Sequence, residues 1–321
     1  MITTNSFISA SAFPIKVLQN QVMHDDRIIP YHIQLYPTNL CNLNCSFCSC
    51  ANRNKKDCLS LEDIRKLIGD AVELGCKAVT ISGGGEPTLH PEFNKILEIL
   101  FLNKLVVGMA TNGVSLERVD TELLDSLTWC RISHSDDRVF SEKYSSKLSS
   151  IVQKCKYVDW GFSYVITSKL NQQTLLDVIK FANEHNFTHV RLVSDLLNLD
   201  SLETMDRIKE ILYQNMIDDT KVIYQGRKEF VHGRKNCLIS LLKPVINADG
   251  NIYPCCGAQY AFDPPTLDCS KVMSMGKISD LKFIYEKQTN FDGSICSRCY
   301  YDEYNVLLSK MTEKLKHKEF I

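Results

Sequence analysis

Between residues 32 and 214 short apolar runs alternate with longer segments of helical periodicity, and few folds accept that alternation. The runs at 32–36, 78–81, 106–111, 129–133, 160–167 and 189–193 read as strands. The segments at 60–74, 91–102, 116–127, 141–155, 173–185 and 202–214 read as helices, the first opened by Ser60 as N-cap with Asp63 three residues on. Parallel strands need a crossover between them, usually a helix, so six such units predict an α/β protein on a parallel sheet. Ligands in sheets of this kind gather at the carboxyl ends of the strands.

Chemistry-bearing residues fall at those ends. After the first strand stand Cys41, Cys45 and Cys48, with three and then two residues between them and Phe47 directly before the third. A cubane iron–sulfur cluster takes four thiolates when saturated, so three leave one iron open to another ligand. The same thiols also suit zinc, or are ordinary buried cysteines. After the second strand comes Ser82-Gly83-Gly84-Gly85-Glu86-Pro87, where glycines let the backbone approach a neighbour closely.

The cysteine tripod followed by this glycine loop resembles the radical S-adenosylmethionine (SAM) superfamily. The resemblance implies a partial (β/α)6 TIM-like barrel over residues 29–220, after an N-terminal extension at 1–28. It implies a [4Fe–4S] cluster on Cys41, Cys45 and Cys48 whose open iron binds SAM. One-electron reduction then gives a 5′-deoxyadenosyl radical that takes a hydrogen atom from the substrate. An external electron donor of flavodoxin or ferredoxin type follows from that chemistry. Gly84, Gly85 and Glu86 match the loop that receives the SAM amino group. Asn112 and Ser133 at later strand ends are further SAM-binding candidates, as is Arg191, whose planar fork suits the SAM carboxylate. After Ser133 the family usually has a hydrophobic residue and then Asp-Gly or Asp-Ser. Here the residues are His134-Ser135-Asp136-Asp137, which marks His134 as a candidate for substrate contact.

A second set of thiols lies in the last third: Cys237, then Gly250 and Cys255, then Cys296 and Cys299. Four thiolates can close a cubane completely. Residues 247–254 read as a hairpin turn presenting Cys255, and the final pair precedes a helix at 302–318. This pattern resembles the auxiliary-cluster extension called SPASM in its shortened form, twitch, and implies one auxiliary [4Fe–4S] cluster on Cys237, Cys255, Cys296 and Cys299 in a unit at 221–321. The cysteines of the longer form are absent after Cys299. A four-cysteine zinc site is the competing reading, and Cys256 and Cys269 stand as alternative ligands or free thiols. Cys50, Cys58, Cys76, Cys130 and Cys155 read as buried small residues. Cys130, Cys256 and Cys269 are candidate hydrogen-atom donors, a role that a thiol plays in radical SAM peptide epimerases.

The chain has 321 residues and a net charge of -1, which gives no global attraction to nucleic acid or an anionic membrane. No apolar run reaches the roughly 18 residues of a membrane span, and no signal-peptide layout opens the chain. Fourteen cysteines in metal-like spacings fit a reducing compartment, so a cytoplasmic protein is expected.

Members with such extensions act on ribosomal peptides, sulfatase side chains, aminoglycoside precursors and a purine nucleotide. A closed auxiliary cluster favours electron uptake, hence oxidation or cross-linking, with epimerisation beside them. A peptide or small molecule is the first substrate class, although residues 1–28 are too few for a leader-binding winged helix. A nucleotide or nucleic acid is the alternative, drawn from the stretch 221–235 with Tyr224, Arg227, Lys228, Phe230, His232, Arg234 and Lys235. That stretch equally suits a solvated connection, as Lys314, Lys316 and Lys318 suit a solvated helix end. A non-catalytic iron–sulfur or zinc scaffold is the third reading.

Overall fold

The computed structural model describes residues 5–226, 230–262, 270–314 and 316. Strands β1 (His32–Leu35), β2 (Ala78–Ile81), β3 (Val106–Thr111), β4 (Trp129–Ser135), β5 (Asp159–Ile166) and β6 (His189–Ser194) pair in parallel in chain order. A seventh strand, β7 (Val222–Gln225), extends the row beyond β6. On the opposite edge β8 (Val245–Ile246) runs parallel to β1, and β9 (Asn251–Tyr253) and β10 (Gly276–Lys277) follow antiparallel. The sheet therefore runs on through residue 220 and takes strands of the C-terminal segment on both edges.

The sheet curls. Lys243 precedes β8 and Arg191 lies on β6, six strand spacings apart along the sheet, a distance of about 29 Å if it were flat. The two side chains nevertheless stand close enough to repel each other electrostatically. Among the described residues no pairing joins the two edges, so the curl makes a partial barrel.

Alternation along the strands sets its two faces. Trp160, Phe162 and Tyr164 of β5 are buried against the surrounding helices, with Phe181 and Phe187 packed on Phe162. Each such side chain contributes about 2 kcal/mol on burial. The first crossover helix, Leu61–Glu73, starts as the cap pattern requires: Ser60 Oγ accepts from Asp63 N at 3.0 Å, and Ile64, Leu67, Ile68 and Ala71 face the sheet.

Three expected helices differ. The one at 116–127 is a short turn, Leu116–Arg118, and a separate helix, Thr121–Asp125, because the Asp120 N–H goes to Asn94 Oδ1 at 3.3 Å. The one at 202–214 breaks at Arg207, whose N–H closes a tighter turn onto the Thr204 carbonyl, into Ser201–Asp206 and Ile208–Gln214. The last helix is Asp302–Thr312, ended by extended backbone at Glu313; Lys318 lies outside the described residues.

The N-terminal segment, unpatterned in sequence, covers the amino end of the barrel. Phe7 stacks on His189 at the start of β6 at 4.1 Å, and Phe13 of helix Ser9–Gln19 stacks on Tyr304 at 3.8 Å. Among the described residues no helix is long and apolar enough to cross a membrane.

Candidate active site

The loop after β1 is a closed excursion. Its two ends are bridged at Thr38 and Cys58, with Asn39 N donating to the Asp57 carbonyl at 2.9 Å and Leu59 N to the Pro37 carbonyl at 3.0 Å. Within it Cys41, Cys45 and Cys48 are all half-buried, and Cys48 N donates to the Cys45 carbonyl at 3.2 Å. Burial, and then the neighbouring Cys48 and Cys41, push the Cys45 thiol up to about 11, while Arg138 acts against them. Thiols so placed ionise when a cationic metal centre supplies the missing counter-charge. Three soft donors on one loop fit an iron–sulfur cluster.

Side chains that the sequence pattern did not single out support this loop. Ser46 donates to Asp137 Oδ2 through N at 2.8 Å and Oγ at 2.7 Å, tying the loop to the end of β4. Arg53 Nη1 donates to Cys48 Sγ at 3.4 Å and to the Cys50 carbonyl, and Arg53 Nε to the Asn39 carbonyl at 2.8 Å. These contacts span far-apart residues or rest on one side chain's reach, so no local motif announces them.

The glycine loop packs onto the cysteine loop. Gly85 N donates to the Thr38 carbonyl at 3.1 Å and Glu86 N to the Leu40 carbonyl at 2.8 Å. A Cβ on Gly85 would overlap the Leu40 carbonyl oxygen, and one on Gly84 the Asn39 Oδ1. Close approach between two protein loops is thus what requires these glycines. Glu86 is 2 % exposed and bonded throughout: Oε1 accepts from Thr88 N, Thr88 Oγ1 and Thr111 Oγ1, and Oε2 from Asn112 N.

Asn112 then reaches back to the tripod, donating from Nδ2 to Asn42 Oδ1 at 2.8 Å. Ser133 stands one strand away, in register with Ser163 of β5 and through it with Arg191 of β6. Arg191 Nη2 donates to Ser163 Oγ at 3.2 Å. His134 faces the other way. It is 1 % exposed among Phe140, Tyr144 and Tyr164, and burial pulls its imidazole down to about 3, so the substrate contact expected of it is not made from this position.

Cys237, Cys255, Cys296 and Cys299 line one pocket in the C-terminal segment. Three local pairings assemble it: Cys237 N donates to the Phe291 carbonyl at 3.1 Å, Cys299 N to the Val231 carbonyl at 2.7 Å, and Gly233 N to the Cys296 carbonyl at 2.8 Å. The hairpin before Cys255 forms as expected, with β8 and β9 joined through Gly250 at φ +75. Burial, followed by neighbouring thiols, drives Cys237 up to about 12 and Cys296 to about 11. Four thiols around one pocket fit the donor set of a closed cubane. Among the described residues no three His, Cys, Asp or Glu side chains converge on a single-ion site.

Cys256 is not among the cysteines that line that pocket. With Cys255 it lines a cleft of about 380 Å³ bordered on the cluster-loop side by Asn39, Arg53 and Gly84, and its Sγ lies 2.8 Å from Tyr301 Oη. Cys130 is fully buried among the residues facing the helices, in register with Met109 and Trp160. Cys269 lies outside the described residues, as do Arg227 and Lys228. Of the other thiols read as buried, Cys50, Cys76 and Cys155 are; Cys58 is exposed because the Thr38–Cys58 bridge sits at the loop margin. In the basic stretch Arg234 pairs with Asp302, Phe230 packs edge-on to Tyr300, and Tyr224 lies under Lys209.

The family model of the radical SAM superfamily matches residues 35–212, more than half of the chain. This chain belongs to the radical SAM superfamily. The family implies a SAM-binding [4Fe–4S] cluster, and the tripod carries the donors for it. A probable GTP 3′,8-cyclase of Sulfolobus acidocaldarius is 30% identical over 168 residues, 49% of this chain and 53% of that protein. The GTP 3′,8-cyclase of Pasteurella multocida is 31% identical over 205 residues, 54% of this chain and 60% of that protein. The chain thus spans little more than half the length of these relatives. In fold it is similar to Streptococcus suis SuiB bound to S-adenosylmethionine, with TM-score 0.59, 16% identity, and coverage of 98% of this chain and 81% of that one. It is also similar to anSMEcpe with bound AdoMet and a Kp18Cys peptide, with TM-score 0.54, 14% identity, and coverage of 89% and 84%.

Proposed function

We propose that this radical SAM enzyme acts on a peptide or small molecule held in the cleft beside the cluster loop, and that Cys256 returns a hydrogen atom to the substrate radical. When bound, the first cluster and SAM supply the 5′-deoxyadenosyl radical that takes hydrogen from the substrate. Gly84 and Gly85 present backbone near SAM, Glu86 fixes that loop, and Asn112, Ser133 and Arg191 border the same end of the barrel. Residues 221–321 act as the auxiliary-cluster unit, with Cys237, Cys255, Cys296 and Cys299 as ligands.

The observation that carries the reading is the position of Cys256. The four-thiol pocket leaves it out, and it stands in the wall of the cleft that Gly84 borders, hydrogen-bonded to Tyr301. Transfer of its S–H hydrogen to a carbon radical forms a C–H bond and leaves a thiyl, which one electron from the external donor and one proton from solvent restore. Hydrogen returned to the opposite face gives epimerisation with no net oxidation. Turnover of a peptide panel in deuterated water tests it: product with one solvent deuterium, abolished by Cys256→Ala, is expected. Product lighter by about two mass units, one hydrogen pair, and unaffected by Cys256→Ala would overturn it.

The complete auxiliary thiol set supports a second reading, in which that unit takes up an electron and the product is oxidised or cross-linked. The names of the sequence relatives support a nucleotide as alternative substrate.

A further inference from the structure

On β4, Cys130, Ile132 and His134 are buried toward the helices, so Arg131 and Ser133 face the barrel interior. Arg131 is in register with Gly161 and, through it, His189; Ser133, Ser163 and Arg191 form the next row. A Cβ at Gly161 would overlap the His189 ring, so the glycine lets that ring lie across the row that Arg131 shares. From the opposite edge of the curled sheet Lys243 comes close to both arginines.

Among the described residues no carboxylate makes an ion pair with Arg131, Arg191 or Lys243. Arg131 Nε and Arg191 Nε are buried without a hydrogen-bond partner. Arg131 is held at about 9 by burial and by Arg191, and burial lowers Arg191 and Lys243 as well. Like charges gathered in a low-dielectric space are costly unless an anion joins them. Cys256 and Tyr301 lie within electrostatic reach of Arg191.

We infer that Arg131, Arg191 and Lys243 bind an anionic group of the substrate, a carboxylate or a phosphate, inside the barrel next to Cys256. This rests on the proposal that the barrel interior and its cleft hold the substrate, and it gives Arg191 to the substrate anion in place of the SAM carboxylate. Two planar guanidinium forks and one ammonium offer the donors that either oxyanion accepts. The anion would anchor the substrate and leave its reacting carbon between the SAM end of the barrel and the Cys256 thiol.

Equilibrium binding to the reconstituted, SAM-loaded protein tests the inference. GTP is compared with guanosine, and a glutamate-containing tripeptide with its fully amidated counterpart. At least one anionic probe is expected to bind ten-fold or more tighter than its neutral partner, and Arg191→Gln and Lys243→Gln each to erase most of that preference. Preference for GTP assigns a phosphate, and preference for the acidic peptide a carboxylate. Equal binding of both charged probes and their neutral partners to the unaltered protein would overturn the site, whatever the variants do. Release of 5′-deoxyadenosine from the unaltered protein reads the radical assignment separately.

Discussion

The carboxylate of Glu86 accepts the backbone N–H of Asn112 at 2.7 Å, which locks the loop after β2 to the end of β3 beside the cysteine tripod. Three more donors converge on the same side chain, from Thr88 and Thr111. Glu86→Ala should therefore lower stability by about 3 kcal/mol even without SAM, because buried donors lose their acceptor. Chemical denaturation measures it, and a loss under about 0.5 kcal/mol would show that Glu86 has no structural part.

Gly85→Ala should displace the cysteine loop, since the added carbon meets the Asn39 and Leu40 backbone, whereas Gly84→Ala meets side chains, chiefly that of Asn39. Iron content after reconstitution should fall more at Gly85 than at Gly84. Equal iron in both variants would contradict the packing argument.

His134 and His189 are both buried and pulled down to about 3, His134 by burial and then Arg138, His189 by burial and then Arg131 and Arg191. The unfolded chain protonates them near the ordinary imidazole value of roughly 6.5, so it binds more protons than the native state below that pH. Stability should fall as pH drops from about 6.5 toward 3, each histidine contributing up to about 1.4 kcal/mol per pH unit. Denaturation at pH 7 and 5.5 checks this, and His134→Phe should flatten the slope. An unchanged slope would refute the assignment for His134.

Cys296→Ser should remove about four irons per chain, while Cys256→Ser removes none. Iron analysis of the two variants decides it: iron lost with Cys256 would make that thiol a ligand and end its proposed role as donor.

The sequence carried the parts of this site that are contiguous. The tripod, the glycine loop and the Ser60 cap are short motifs whose spacing alone expresses their geometry, and the six strands stood out by their apolar runs. Asp137 and Arg138 did not, because their importance comes from Ser46 and Cys45 some ninety residues away. The two-residue strand β8 has no periodicity to read, yet its pairing with β1 brings Lys243 to the barrel. The covering role of Phe7 likewise exists only through His189. The single helices expected at 116–127 and 202–214 failed for a related reason, since a side chain elsewhere or a tighter turn took the hydrogen bond that helix continuation needed.

The central claim is radical chemistry at the tripod with a second cluster in the C-terminal segment. Protein prepared without oxygen and reconstituted should be assayed for iron and zinc, and for 5′-deoxyadenosine on reduction with SAM. About eight irons per chain with nucleoside release, lost when Cys41, Cys45 and Cys48 are all alanine, is the predicted result. Zinc in place of iron with no nucleoside release, or release that survives in the triple variant, would contradict it.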